Sequence, residues 1–266
     1  MPIAHLNNQG ISYEDSGGNG PAVMFLHGFM FDHDLFVPQV EALAPQYRCV
    51  RFTARGFGQT QWDGNPFSLW DTVEDAIALL DHLNIKTAVF VGMSQGGYAI
   101  LRIALKYPER VNGLIFIDTY NGIDTEDVKE IYRSMRDAWR DVGPAQVVNT
   151  LLTLFLGPEE TNQKHWEVWK PRWEAHTAQQ IAATMNNLID RDEVSQDQVD
   201  LVKAPVMVIH GEADNGIPPA AGEALFNSFS NKVGFVRIPD APHASNYTHP
   251  EQVNAAIKGF LTEHAK

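Results

Sequence analysis

Val89-Phe90-Val91-Gly92-Met93-Ser94-Gln95-Gly96-Gly97-Tyr98 is the stretch from which the fold can be read. Residues 87–91 form a short apolar run of the kind buried on both faces of a parallel sheet. The run passes straight into Gly92-x-Ser94-x-Gly96, and residues 97–107 carry a helical pattern that stops before Pro108. A strand, a sharp turn and a helix give that spacing its meaning. The serine sits on a strained turn above the sheet, and the flanking glycines let strand and helix pass closely around it. The helix N-terminus then points unpaired N–H groups and a positive dipole at the place where negative charge would develop. In this context Ser94 reads as a nucleophile. The competing reading makes it only the N-cap of a tight strand–helix turn.

Working outward, residues 22–26 form a short apolar strand that ends in His27-Gly28-Phe29-Met30. Residues 47–52 form another, leading into Thr53-Ala54-Arg55-Gly56-Phe57-Gly58. Residues 3–6 and 11–14 suggest an edge hairpin, and residues 35–43 have helical spacing. Over residues 69–83, Val73, Ile77, Leu80 and Leu83 share one helical face, with Asp71, Glu74, Asp75 and Asp81 expected towards solvent. Residues 111–117 give a strand closed by Asp118. The alternation then breaks. Residues 120–201 show helical runs punctuated by Gly143-Pro144, Gly157-Pro158 and Pro171, and they hold Trp139, Trp166, Trp169 and Trp173. Strand–helix alternation resumes over residues 205–209, 220–229, 233–238 and 250–261.

This pattern predicts an α/β chain with a mostly parallel sheet of about eight strands, covered by helices on both faces. Residues 1–119 and 202–266 would form the core. Residues 120–201, inserted after the sixth strand, would form a helical cap above the strands' C-terminal ends, where such sheets bind ligands.

A serine hydroxyl needs a base to take its proton, and the base needs an acid to hold its tautomer. Asp214 lies in a turn after a buried strand, between His210-Gly211-Glu212-Ala213 and Pro218-Pro219. His243 follows the last strand and precedes the final helix. The order Ser94, Asp214, His243 suits this architecture. Asp118 also ends a strand and is the alternative acid, while the Gly-x-x-Asp turn and its prolines favour Asp214.

These residues resemble the α/β-hydrolase family over nearly the whole chain. The resemblance rests on His27-Gly28-Phe29, Arg55-Gly56-x-Gly58, Gly92-x-Ser94-x-Gly96-Gly97, Gly211-x-x-Asp214 and His243 before a terminal helix. Within the family the chain is most similar to small cytoplasmic esterases and lactonases of the 3-oxoadipate enol-lactonase type. The resemblance implies an oxyanion hole built from the backbone N–H groups of Phe29 and Gln95, with His27 as a structural hydrogen-bonding residue. It also implies a substrate pocket near Met30 and the cap, to which Trp139, Trp166, Trp169 and Trp173 would contribute. Those tryptophans read equally well as the cap's own core. Two positions depart from the common pattern: Thr53 stands where Asp often precedes x-Arg-Gly, and Pro242 where Gly often precedes the histidine.

The bulk numbers fit this reading. With 266 residues the chain can bury a large core, and 44% hydrophobic with 20% charged residues is the composition of a soluble globule. A formal charge of −13 argues against nucleic acid and anionic membrane surfaces as partners. Cys49 is the single cysteine, and no secretory signal is visible, so a reducing cytoplasm is expected. Asp32-His33-Asp34 and His249 read as surface polar clusters, because no metal-ligand spacing accompanies them. No metal or cofactor is expected. The function expected is cofactor-free serine hydrolysis of a small carboxylic ester or lactone. Carbon–carbon hydrolysis or perhydrolysis on the same three residues, and a receptor-like binding protein on the same fold, are the alternatives. The partner expected is that small-molecule substrate, and a homodimer stays open.

Overall fold

Asn7 and Asn8 both adopt positive φ, 48° and 61°, the backbone of a two-residue turn matched to the twist of paired strands. They join β1 (Ile3–Leu6) to β2 (Gln9–Asp15), a longer strand than the alternation of residues 11–14 alone suggests. The remaining strands are β3 (Ala22–Leu26), β4 (Arg48–Phe52), β5 (Ala88–Met93), β6 (Val111–Ile117), β7 (Val206–Gly211) and β8 (Lys232–Ile238). The computed structural model describes residues 2–265 and joins these strands in one sheet, in the order β1-β2-β4-β3-β5-β6-β7-β8. β1 and β2 pair antiparallel, as do β2 and β4, and every later pair is parallel. All six residues of β5 and all six of β7 are buried, as strands covered on both faces must be.

Helices cover the sheet. α1 (Val37–Leu43) follows a short 3-10 turn over His33–Phe36, α2 (Leu69–His82) precedes β5, and α3 (Gln95–Lys106) follows it. α3 starts two residues earlier than the sequence pattern suggests, directly after Ser94, and its first ten residues are all buried. Between β6 and β7 the chain runs through α4 (Glu126–Asp141), α5 (Pro144–Leu156), α6 (Glu159–Glu174), α7 (Ala178–Ile189) and α8 (Gln196–Val199). Gly143 and Gly157 make the joints on either side of α5, with φ of 104° and 86°. Pro171, expected to interrupt a helix, lies inside α6. Its lost hydrogen bond is outweighed by packing: Trp166, Trp169 and Trp173, spaced three and four residues apart, bury one face of that helix. α9 (Pro219–Ser228), α10 (Ser245–Thr248) and α11 (Pro250–His264) complete the chain. No helix among the described residues is long and apolar enough to cross a membrane.

Two polar segments sit deeper than expected. Asp75 is fully buried in α2 rather than solvated, because Arg55 grips it through Nε (2.6 Å) and Nη2 (2.8 Å) and Asn7 Nδ2 adds a third bond. A buried carboxylate needs such partners. Asp32-His33-Asp34 is likewise no surface cluster. His33 is buried, with its ring Nδ1 2.6 Å from Thr53 Oγ1, while Asp34 pairs with Arg51 and with Arg172 of α6. The hydroxyl of the fully buried Thr53 also accepts the His33 amide, so this side chain anchors the 32–34 segment from the end of β4.

Candidate active site

Ser94 leaves β5 with φ 49° and ψ −115°, a strained conformation for a residue with a side chain. The turn is held at both ends. The Ser94 N–H donates to Ile117 O at 2.9 Å, and its carbonyl accepts Thr119 Oγ1 at 2.8 Å. The turn exists only because its neighbours are glycine. A Cβ on Gly92 would stand 2.4 Å from Gly96 O, and one on Gly96 would stand 2.0 Å from Leu26 O. Strand β5, strand β3 and the start of α3 can therefore meet around one serine.

His243 and Asp214 come from the loops after β8 and β7, and both reach that serine's end of the sheet. His243 Nε2 lies 3.0 Å from Ser94 Oγ, and His243 Nδ1 lies 2.8 Å from Asp214 Oδ2. An ionised carboxylate only accepts, so Nδ1 donates to Asp214 and Nε2 is left as the acceptor for the serine hydroxyl. Asp214 Oδ1 receives the amides of Gly216 (2.8 Å) and Ile217 (2.9 Å). Burial would raise the Asp214 carboxyl, but His243, His210 and these amides prevail and hold it well below the usual carboxylate range. Ser94 is 9% exposed and His243 2%, so the chain of bonds is nearly closed off from bulk water.

Asp118 does not bond to the histidine. It ends β6 with φ 47°, and its two oxygens receive the amides of Gly211 (2.8 Å) and Ser245 (2.9 Å). Burial, with the Asp214 charge adding to it, pushes Asp118 up to about 6 against the pull of His210, His243 and the Ser245 side chain. Asp118, His210 and Asp214 offer ligand atoms within 4.8 Å of one another. All four carboxylate oxygens already accept N–H groups of the protein, which accounts for the cluster without an ion.

Two backbone amides border the serine. Gln95 is the first residue of α3, whose first-turn N–H groups have no carbonyl within the helix to bond. Phe29 follows Gly28, and Gly28 packs so tightly that a Cβ there would stand 3.2 Å from Ser94 Cβ. His27 fixes this loop: Nδ1 donates to Gly28 O (2.8 Å), and Nε2 accepts the Ala54 amide (3.0 Å). Burial pushes the His27 imidazole down to about 4, so it stays neutral.

Met30 is buried with φ 69°, and Phe31 beside it contacts Trp169 (4.8 Å between ring centroids) and Trp173 (5.1 Å) of α6. Trp139 and Trp166 are tied instead to the insertion's own backbone, through His176 O and Gly157 O. Nothing in the sequence singles out Phe155 of α5. Its ring lies 4.8 Å from the His243 ring, and its carbonyl accepts the Ala244 amide at 2.8 Å. In sequence it is one more apolar residue in a helical run. Sequence reasoning also misses His210 as a partner of Asp214, although it directly precedes Gly211-x-x-Asp214. Pro242 neighbours Gly157, where a Cβ would stand 3.9 Å from its ring.

A cavity of about 250 Å³ lies between residues 216–221, which lead into α9, and the start of the insertion, and is lined by Tyr120, Ile123, Asp124, Val128, Tyr132 and Ile217 among others. Gly216, also in its wall, is so close to His243 that an added Cβ would stand 3.5 Å from the ring. Larger clefts lie elsewhere: about 550 Å³ beside residues 62–70 and α7, and about 620 Å³ between α4 and α5. None of these three cavities is lined by Ser94, Asp214 or His243, and only the 250 Å³ one adjoins the site, through Gly216.

Residues 21–250 match the profile of the alpha/beta hydrolase fold. The chain is 28% identical over 264 residues to 3-oxoadipate enol-lactonase 1 of Acinetobacter baylyi, an alignment covering 97% of this chain and 96% of that one. A thermophilic esterase from Thermogutta terrifontis superposes with a TM-score of 0.89 at 27% identity, over 97% of this chain and 95% of that one. A bromoperoxidase from Bacillus anthracis superposes with a TM-score of 0.82 at 21% identity, over 96% of each chain, a likeness of fold alone. The profile spans most of the sequence, and the eight-stranded sheet carries the serine on the expected strand–turn–helix, so the chain belongs to the α/β-hydrolase fold family.

Proposed function

We propose that this chain is a serine hydrolase that cleaves a small carboxylic ester or lactone through an acyl-enzyme. The observation that carries the reading is the continuous line from Ser94 Oγ through both nitrogens of His243 to Asp214, at 3.0 and 2.8 Å. Ser94 attacks the carbonyl carbon while His243 Nε2 takes its proton. Asp214 holds the ring in the tautomer that leaves Nε2 free and stabilises the imidazolium that forms. The amides of Gln95 and Phe29 receive the oxygen as it becomes negative, and one such donor is worth about 3 kcal/mol at the transition state. The imidazolium returns the proton to the leaving oxygen, which in a lactone stays attached to the acyl group. A water activated by the same His243 then releases the acid.

The helices of residues 120–201 act in this reading as a cap over the site, since Phe155, Trp169 and Trp173 meet the loops that carry His243 and Phe29. The relatives bear different activities by name, and a shared fold does not choose among them.

Turnover of p-nitrophenyl acetate, with single labelling by a serine-reactive fluorophosphonate, tests the proposal. Both should disappear in Ser94→Ala. Labelling at another serine would move the nucleophile. A folded parent that neither labels nor turns over any ester, but binds one, would be a binding protein on this fold.

A further inference from the structure

Asp214 Oδ2 serves two imidazoles. His243 Nδ1 reaches it at 2.8 Å from the loop after β8, and His210 Nε2 lies 3.2 Å from it at the end of β7. His210 is fully buried, and its Nε2 also faces the Ile217 carbonyl oxygen at 2.8 Å. Both neighbours of Nε2 are acceptors, so that nitrogen carries a proton, which is hydrogen-bonded to the Ile217 carbonyl and lies beside the Asp214 carboxylate. The far edge of the ring is fixed by α9. A Cβ on Gly222 would come within 2.2 Å of His210 Nδ1, so the ring occupies space that only glycine leaves.

We propose that His210 is a positioning residue: a second imidazole on Asp214 that sets how strongly the carboxylate holds the His243 imidazolium. The proposal rests on the reading of Ser94, His243 and Asp214 as a catalytic triad. An oxygen with a second N–H group 3.2 Å away has less charge to offer the imidazole that bonds it directly. His210 therefore weakens the grip that Asp214 has on the His243 imidazolium.

The groups around His210 leave the Ile217 carbonyl and the Asp214 carboxylate as the acceptors beside Nε2. Asp118 faces it from β6, but both Asp118 oxygens are held by the amides of Gly211 and Ser245. Arg237, the register partner of His210 on β8, is held by Glu223 of α9 at 2.7 Å. Burial pushes the His210 imidazole down, but the bond to Asp214 and the charge of Asp118 more than offset this and its proton is held more tightly than usual.

NMR of the protein labelled with ¹⁵N-histidine reads the His243 titration without any substrate. His210→Leu, which fills the space without a donor, should move that titration to higher pH by about half a unit or more. His210→Gln, whose amide can stand in for the Nε2–H group, should restore most of it. A ring that only fills space would lower stability in both variants and leave the titration where it was. A folded His210→Leu protein with the parent's His243 titration overturns the proposal. So does a native spectrum in which His210 Nε2 carries no proton, and that reading needs no variant to fold. Ester turnover is measured alongside. A parent that shows the His243 shift on substitution but no turnover would retain the positioning role and lose the hydrolase reading.

Discussion

The Asp118 carboxylate receives the amide of Ser245 at 2.9 Å, two residues beyond His243, while the His243 ring turns away to Asp214. Its other oxygen takes Gly211, at the end of β7. Asp118 therefore braces the loop that carries His243 to the end of β7.

The two acids should respond differently to the same substitution. Asp214→Asn should lower turnover by up to about 10⁴-fold with little loss of fold, because the amide favours the wrong tautomer of His243. Asp118→Asn places an NH₂ group against one backbone N–H and should cost about 1–3 kcal/mol of stability. Its turnover should fall by roughly tenfold at most, since the base and its acid stay in place. Steady-state rates beside denaturant midpoints separate the two, and the roles must be exchanged if folded Asp118→Asn is the slower enzyme.

Arg55 and Asp75 form a buried pair with two bonds of 2.6 and 2.8 Å. Removing one partner leaves an uncompensated charge inside α2's packing face, which typically costs about 3–5 kcal/mol. Arg55→Met should therefore be strongly destabilising, and Arg55→Met with Asp75→Leu should recover much of the loss. Chemical denaturation of the three proteins checks this. A double variant no more stable than Arg55→Met would show that the pair's worth lies elsewhere.

Acid should weaken the fold through His27. Its folded pKa of about 4 lies below the ordinary 6.5, so the unfolded chain takes a proton that the folded chain refuses. The stabilising contribution is present above pH 6.5 and is lost as pH falls towards 4. A shift of that size is worth about 3 kcal/mol, with a slope of about 1.4 kcal/mol per pH unit. His27→Gln should flatten the stability–pH curve by close to one proton across that window. An unchanged slope would mean that other histidines, such as the buried His33 and the half-buried His176, carry the acid sensitivity.

What is legible in the chain is what is local. The elbow at Ser94 is written in ten consecutive residues, and Asp214 and His243 each follow a strand within a short turn. The contacts hidden from the sequence are those that only folding brings together. Phe155 meets His243 because α5 folds back over the sheet, and no periodicity distinguishes it from Leu151 or Leu152. Asp75 reads as a solvent-facing acid on α2 until Arg55 arrives from the loop after β4. Thr53 stands out as a departure from pattern, and it becomes intelligible only once His33 lies against its hydroxyl.

The four tryptophans of the insertion divide into two pairs with different expected behaviour. Trp139 and Trp166 donate their indole N–H groups to carbonyls of the insertion itself, so their replacement should act on stability. Trp169 and Trp173 stack edge-on against Phe31, two residues past Phe29, and Trp173 also meets Phe155, whose ring lies over His243. Trp173 Nε1 has no partner among the described residues, so Trp173→Phe removes ring area without breaking an intramolecular bond. If this seam shapes the acyl pocket, Trp173→Phe should change the order of kcat/KM among p-nitrophenyl esters of increasing acyl length. One methylene of fit is worth about 1–3 kcal/mol, a difference of at least several-fold between neighbouring esters. Trp139→Phe should lower the denaturation midpoint and leave the order intact. Should folded Trp169→Phe and Trp173→Phe both keep the parent's order, these indoles belong to the insertion's scaffold and do not shape the acyl pocket.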